Sequence, residues 1–398
     1  MPGLRAPLLT PDGDGMRFER DGVLRWKDGW ILPDREPGDA QHLPDVLLIP
    51  GLIDSHIHLP QYRVRGRFHE ALLPWLREHI WPEEARFAER DYREGVTDEF
   101  REGLLDAGTT AAMVYGAPAA DSAHAVLRDL APLTIRGGDV LMDRNGLDDL
   151  LRTPDAALRD AEALAAEYGE RYVLTPRFVP TCSAELMAGC GSLLARTPAR
   201  LQTHLAENLD EVAWVADLHP DLRSYTAVYA HYGLLGPRTV MGHCIHLDDL
   251  DLRLLSRSGT WAAHCPTSNI ALGSGRMPLE RLQAAGVPVA LGTDVGAGPD
   301  VSMLDVLHTF LQVHRGFADP SPSEGLRLAT RASALAMGEG DRGELVAGRR
   351  ADVVALHLPG GLQRSDDGDS ALQRVLDAFA GRWTEAVAGV WIDGRRLR

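Results

Sequence analysis

Along the middle of the chain, short apolar runs rich in Val, Ile, Leu and Thr alternate with longer stretches of helical periodicity, the pattern expected of parallel βα units. Eight runs read as strands: VLLIPGLIDSHIH from Val46, GTTAAMVYG from Gly108, TIRGGDVLM from Thr134, YVLTPRF from Tyr172, LQTHLAE from Leu201, TVMGHCIH from Thr239, TWAAHCP from Thr260 and VPVALGTDV from Val287. Between the first two, residues 71 to 108 read as helices that end at Gly108, where a glycine can adopt the left-handed conformation past a C-terminus. Eight strands with intervening helices predict a (β/α)8, TIM-like barrel within the α/β class.

The two ends have a different rhythm. Residues 16 to 35 carry short alternating stretches broken by Asp-Gly pairs, and the last stretch, ADVVALHL followed by AVAGVWIDGRRLR, behaves alike. Asp-Gly between alternating runs is a hairpin signal. The expected organisation is a small β-sandwich from residues 1–48 and 346–398, flanking a barrel over residues 49–345.

In such a barrel the side chains at the C-terminal ends of the strands line the active site. Here those ends are polar where an apolar run should stay apolar. The first closes on His56-Ile57-His58, whose imidazoles, two residues apart on a strand, project to one side. The fifth ends at His204, the sixth at His243 and the eighth at Asp294. A lone HxH is more often a pair of hydrogen-bonded rim histidines, but convergence of four strand ends outweighs that reading. His56, His58, His204 and Asp294 form a ligand set suited to one zinc ion, with iron as an alternative. Glu207, three residues after His204 where the chain turns off the strand, is placed to reach over a bound water and to shuttle protons. Asp294 can take that water's proton while remaining a ligand. His264, on the seventh strand, is left as a supporting or core residue.

Composition removes several classes of function. Hydrophobic residues make up 44% and charged residues 25%, and no apolar run approaches a membrane span of roughly 18 residues. The start, MPGLRAPLLTPDGDG, lacks the marks of a secretory signal, so the chain reads as cytoplasmic. A net charge of -16 with no basic stripe argues against nucleic acid or anionic membrane as partner and suits a small neutral substrate. The four cysteines form no CxxC pair and read as buried thiols.

PGLIDSHIH, HLAEN, GHC, HCPTSN and GTD, in that order, resemble the amidohydrolase superfamily from about residue 48 to 350. Within it, PGLIDSHIHLPQY, LLPWLREHIWPEEARF, TPRFVPTCSAELM, HLAENLDEV, HCPTSNIALGSG and GTDVGAG followed by SMLD resemble the guanine deaminase family. Thr267 within HCPTSN and the short N-terminus are departures that touch no proposed ligand.

The resemblance implies hydrolytic release of ammonia from a purine base, a metal-activated water, and a homodimer. It also implies that His243 contacts the attacking water or substrate without necessarily binding metal. Gln61, whose amide offers a donor and an acceptor, is a candidate contact to a purine edge. Arg177 and Phe178, at the end of the fourth strand, are implied to donate to a carbonyl oxygen and to stack on the base. Trp75 is a candidate wall, with core packing as the alternative.

Some superfamily members bridge two metals with a carboxylated barrel lysine. The single lysine here, Lys27, precedes the first barrel strand, which argues for one metal. The HxE and PCxxC pattern of the unrelated zinc deaminases is absent. Two other readings stay open: a related deaminase acting on an oxidised guanine, a pterin or an s-triazine, and a barrel scaffold that has lost its chemistry.

Overall fold

The computed structural model describes residues 2–33, 36, 38–68 and 72–398. Both ends of the chain enter one eight-stranded sheet. Its order is Arg395–Arg396, Val387–Ile392, Val353–His357, Val46–Pro50, Gly3–Asp12, Gly15–Lys27 and Trp30–Ile31, with Gln41–His42 also paired to Gly3–Asp12. The expected joining of the termini is therefore present as a single sheet; among the described residues no second stack of strands forms a ladder on it.

Two of the Asp-Gly pairs make the expected turns. Asp28-Gly29 and Asp393-Gly394 all have positive φ, and they close two-residue hairpins with Lys27 opposite Trp30 and Ile392 opposite Arg395. Asp21-Gly22 does not. It lies inside the strand Gly15–Lys27, beside a register shift, where a Cβ on Gly22 would come within 2.8 Å of the Leu8 Cβ. Close approach of a neighbouring strand, rather than a turn, is what that glycine permits. Asp34 and Arg35, at the end of the expected hairpin stretch, lie outside the described residues, as does Ala71 at the start of the expected helices.

The run from Val46 to His58 is not one strand but two. Val46–Pro50 belongs to the terminal sheet, pairing antiparallel with Val353–His357, whereas Leu52–His58 pairs parallel with Thr109–Tyr115. Gly51 stands at the crossing, where a Cβ would fall 2.1 Å from Thr110 Oγ1. Alternation on Val46–Pro50 puts Val46 and Leu48 among Leu4, Leu8, Trp26 and Trp391, while Leu47 and Ile49 join the larger core. One short strand thus cements the terminal sheet to the body of the protein.

The remaining strands are parallel. Leu52–His58, Thr109–Tyr115 and Thr134–Gly138 form one sheet; Val140–Leu141, Val173–Pro176, Arg200–Leu205, Thr239–His243, Trp261–His264 and Val289–Leu291 form another. The expected third run is split at Asp139, a fully buried carboxylate that takes Arg152 and the Tyr172 hydroxyl, each at 3.0 Å. The two sheets meet on both sides. Gly137 bridges to Tyr172, and at the other seam Asp294 N donates to His56 O at 2.8 Å and His58 N to Val295 O at 2.9 Å.

The strands share a buried cluster in which small and β-branched side chains, Ile53, Ala111, Val173, Val240, Ala263 and Ala290, pack with Met113. Helices cover the outside. Thr153, Ser183 and Asp248 cap three of them through side-chain oxygens, and the long helix Arg90–Asp106 stops before Gly108, whose φ is +81°. No helix among the described residues is long and apolar enough to cross a membrane.

Candidate active site

His56 and His58 end the strand Leu52–His58 and are both buried. The first is held from behind: Asp54 accepts from His56 N at 3.0 Å, from Thr293 N at 3.1 Å and from Thr293 Oγ1 at 2.5 Å. Asp54 thereby ties the first strand to the segment carrying Asp294. That segment runs on past Val289–Leu291, and Asp294 adopts a φ of +51°. A left-handed aspartate is costly, and such strain persists where surrounding contacts enforce it.

The Asp294 Oδ1 atom lies 3.3 Å from His56 Nε2 and 3.2 Å from His58 Nε2, and His204 Nε2 lies 3.3 Å from His58 Nε2. Donors about 2.0–2.1 Å from a common tetrahedral centre stand about 3.3–3.4 Å apart. The four ligand atoms all fall within 4.8 Å of one another. His56 Nδ1 and Nε2 and His58 Nδ1 are buried with no hydrogen-bond partner, an arrangement that is costly unless something else takes a lone pair.

The electrostatics agree. Burial pushes His56 down to about 4, and burial with the neighbouring rings holds His204 well below the usual imidazole range. Neutral rings are what a metal needs. Burial would raise Asp294, but the His56 and His58 rings outweigh it and hold the carboxyl well below its usual range. His204 Nδ1 donates to Arg177 O at 2.7 Å, Ser268 Oγ donates to Asp294 Oδ2 at 2.6 Å, and the Tyr115 ring stacks on His58 at 4.4 Å. Such outer contacts orient metal ligands.

His243 ends its strand with a φ of +69° and lies outside the ligand cluster. Its Nε2 is 3.4 Å from Glu207 Oε2 and 3.7 Å from Asp294 Oδ2. Burial disfavours the charge on His243, but the Glu207 and Asp294 carboxylates outweigh it and raise its pKa. Burial pushes Glu207 up to about 7. Its Oε1 accepts from Ser274 Oγ at 3.1 Å, while Glu211 takes the Glu207 N–H at 2.8 Å and the Tyr225 hydroxyl at 2.7 Å.

His58, His204, Glu207, His243 and Asp294 line one cavity of about 400 Å³, its open side included, with Gln61, Arg177, Phe178 and Trp75, while His56 belongs to the ligand cluster without lining the cavity. The ligand cluster and the cavity lining together bring the sequence-predicted site residues side by side. Leu72, Leu76, Leu272 and Ala297 complete the apolar surface of the cavity. His264 is elsewhere: buried under the helix Met303–Val313, it packs on Phe310, with its Nε2 3.0 Å from His314 Nε2. All four cysteines are buried and free, as expected. Lys27, the single lysine, is exposed at the end of a terminal-sheet strand.

Reading the sequence missed Glu84, Ser268, Asn269, Ser274 and Glu211. All five lie in stretches already conspicuous as motifs: Glu84 in LLPWLREHIWPEEARF, Glu211 in HLAENLDEV, and Ser268, Asn269 and Ser274 in HCPTSNIALGSG. Their side-chain partners, however, sit on other elements: Arg177 and Gln61 for Glu84, Asp294 for Ser268, His243 for Asn269, Glu207 for Ser274 and Tyr225 for Glu211.

The family model for the amidohydrolase family matches residues 47–397. The chain belongs to the amidohydrolase family. This amidohydrolase is 34% identical to the guanine deaminase of Escherichia coli K12 over 96% of the chain and 90% of that protein. It is 37% identical to a probable guanine deaminase of Deinococcus radiodurans over 91% of the chain and 85% of that protein. Among solved structures, the guanine deaminase of C. acetobutylicum with guanine in its active site superposes with a TM-score of 0.92 at 30% identity, covering 100% of this chain and 99% of that one.

Proposed function

We infer that this amidohydrolase is a guanine deaminase, replacing the C2 amino group of guanine by oxygen to give xanthine and ammonia. The observation that carries the reading is the shared cavity: a convergent three-histidine, one-carboxylate set beside a buried glutamate and a guanidinium–amide wall. The small-molecule purine base is its partner. We further propose that the two parallel sheets act as one (β/α)8 barrel over residues 49–345, with 1–48 and 346–398 as the small β unit. The same reading carries one metal ion per chain, a homodimer and a cytoplasmic enzyme.

A zinc or iron ion held by His56, His58, His204 and Asp294 would lower the pKa of its water to about 7 and so supply a nucleophile at neutral pH. Asp294 accepts a proton through Oδ2, the atom that also receives Ser268 Oγ. Glu207 carries one proton of the attacking water to the ring nitrogen beside C2, and the second, taken up by Asp294, is passed by way of Glu207 to the leaving amino group. His243 steadies the attacking oxygen from the Glu207 side. Arg177 donates to the C6 oxygen, Gln61 reads the base edge, and Phe178 with Trp75 encloses the ring and excludes water.

The direct test is spectrophotometric loss of guanine by the metal-loaded enzyme, run beside adenine, an oxidised guanine, a pterin and an s-triazine. Turnover of another base in preference to guanine would replace this reading with that neighbouring deaminase.

A further inference from the structure

Arg177 and Gln61 are joined by a third residue. Glu84 lies 93 positions from Arg177 in the chain, yet its Oε2 is 2.5 Å from Arg177 Nη1, and the carboxyl has no exposure to solvent. Its other oxygen, Oε1, accepts from Gln61 Nε2 at 2.9 Å. Gln61 Oε1 in turn accepts from Gly296 N at 3.0 Å. A carboxylate only accepts and a backbone N–H only donates, so a flipped Gln61 amide would lose both partners at once. Glu84 therefore decides which end of the amide faces each way.

It also decides the charge of the wall. A guanidinium stays protonated at any ordinary pH, and in a desolvated pocket an uncompensated one attracts anions strongly. Glu84 cancels that charge while leaving the remaining Arg177 N–H groups free to donate.

We propose that Glu84 is a positioning residue that makes this wall a neutral hydrogen-bonding surface, selecting uncharged purine bases and rejecting their anions. The proposal rests on the reading of Arg177 and Gln61 as base contacts. Its consequence falls on the product. Replacing an amino group by a carbonyl places a ring N–H between two carbonyls, so xanthine gives up a proton more readily than guanine. An unpaired Arg177 would hold that anion; the Arg177–Glu84 pair lets it go. The other ionisable groups lining the cavity, His58, His204, Glu207, Glu211, His243 and Asp294, are common to wild type and variants, so a comparison between proteins isolates Glu84.

The test is Glu84→Gln in the metal-loaded enzyme, with guanine kinetics and xanthine binding measured at a mildly alkaline pH where xanthine is largely anionic. The expected result is unchanged metal content, a guanine KM raised about tenfold with a smaller change in kcat, and xanthine bound about tenfold more tightly. Glu84→Asp, which keeps the charge, should bind xanthine as the wild type does. Removing one member of a buried pair can unfold a protein, whereas removing both leaves no charge unpaired. The double variant Glu84→Gln with Arg177→Gln should therefore fold and keep the wild-type preference between the two ligands to within about threefold. Parallel changes for guanine and xanthine in the single variant, or a tenfold swing toward xanthine in the double variant, would overturn the proposal. Xanthine binding is read without turnover, so a wild type inactive on guanine would overturn the functional reading separately.

Discussion

His243 Nδ1 lies 2.9 Å from Asn269 Oδ1, and because an amide oxygen only accepts, the ring nitrogen is the donor. The other nitrogen, Nε2, is thereby turned to Glu207 and Asp294. Asn269→Leu should free the ring to change tautomer and rotate, lowering kcat by about 10- to 100-fold with bound metal unchanged. Steady-state kinetics with metal analysis check this, and unaltered kcat would remove Asn269 from the support of His243.

Glu207→Gln keeps the shape of the side chain and removes its proton transfer. The expected loss is on the order of 10² to 10⁴ in kcat, with metal content and xanthine binding retained. Near-full turnover would pass the shuttle role to another group, His243 first.

The same residue makes a pH prediction for the metal-stripped protein. Burial raises Glu207 from an ordinary 4.5 to about 7, so the fold favours its protonated form. The stability this contributes is fully present below about 4.5 and is lost as pH rises through about 7, where an unfolded chain would already be ionised. Glu207→Gln cannot ionise. Between pH 4.5 and 7 the stripped wild type should lose roughly 2–3 kcal/mol relative to the stripped variant, read from denaturant midpoints at each pH. A constant difference across that window would contradict the assignment.

One ligand set among the described residues and an exposed Lys27 in the terminal sheet predict about one metal equivalent per chain. Chelation should abolish activity and lower Tm, since the ion binds the folded state alone. Two equivalents lost together with activity would call for a second site.

Arg177→Ala should lower kcat/KM for guanine sharply and narrow the preference over adenine, which presents a donor where guanine has an oxygen. Sites built on such pairing discriminate by about 10⁴ or more. The ratio of kcat/KM for the two bases, in both proteins, is the measurement, and an unchanged ratio would take Arg177 out of base recognition.

What could be read from the chain was local. His56 and His58 are visible because strand period places both on one face; Asp294, because it follows an apolar run; Gly108, because a glycine after a helical stretch has few other reasons to be there. What escaped depends on partners distant in sequence. Glu84 looks like any helical glutamate in WPEEARF until Arg177 and Gln61 are seen on either side of it. Asn269 is an unremarkable amide before His243 is set beside it. The split at Gly51 escaped for another reason: VLLIP and LIDSHIH carry the same strand-like composition, and only Thr110 and the strand Val353–His357 reveal that they pair in different sheets.

That split strand sets a limit on how the molecule can be rearranged. The peptide that enters the terminal sheet at Val46 leaves it at Pro50 and arrives at His56 within six residues. A chimera that exchanged the small unit at a boundary drawn from composition would cut through this continuous path or leave Val353–His357 with a foreign edge. Catalytic halves and terminal sheets of relatives should therefore recombine productively only when Val46–Pro50 and Val353–His357 travel together, and a graft that separates them should cost metal retention before it costs solubility.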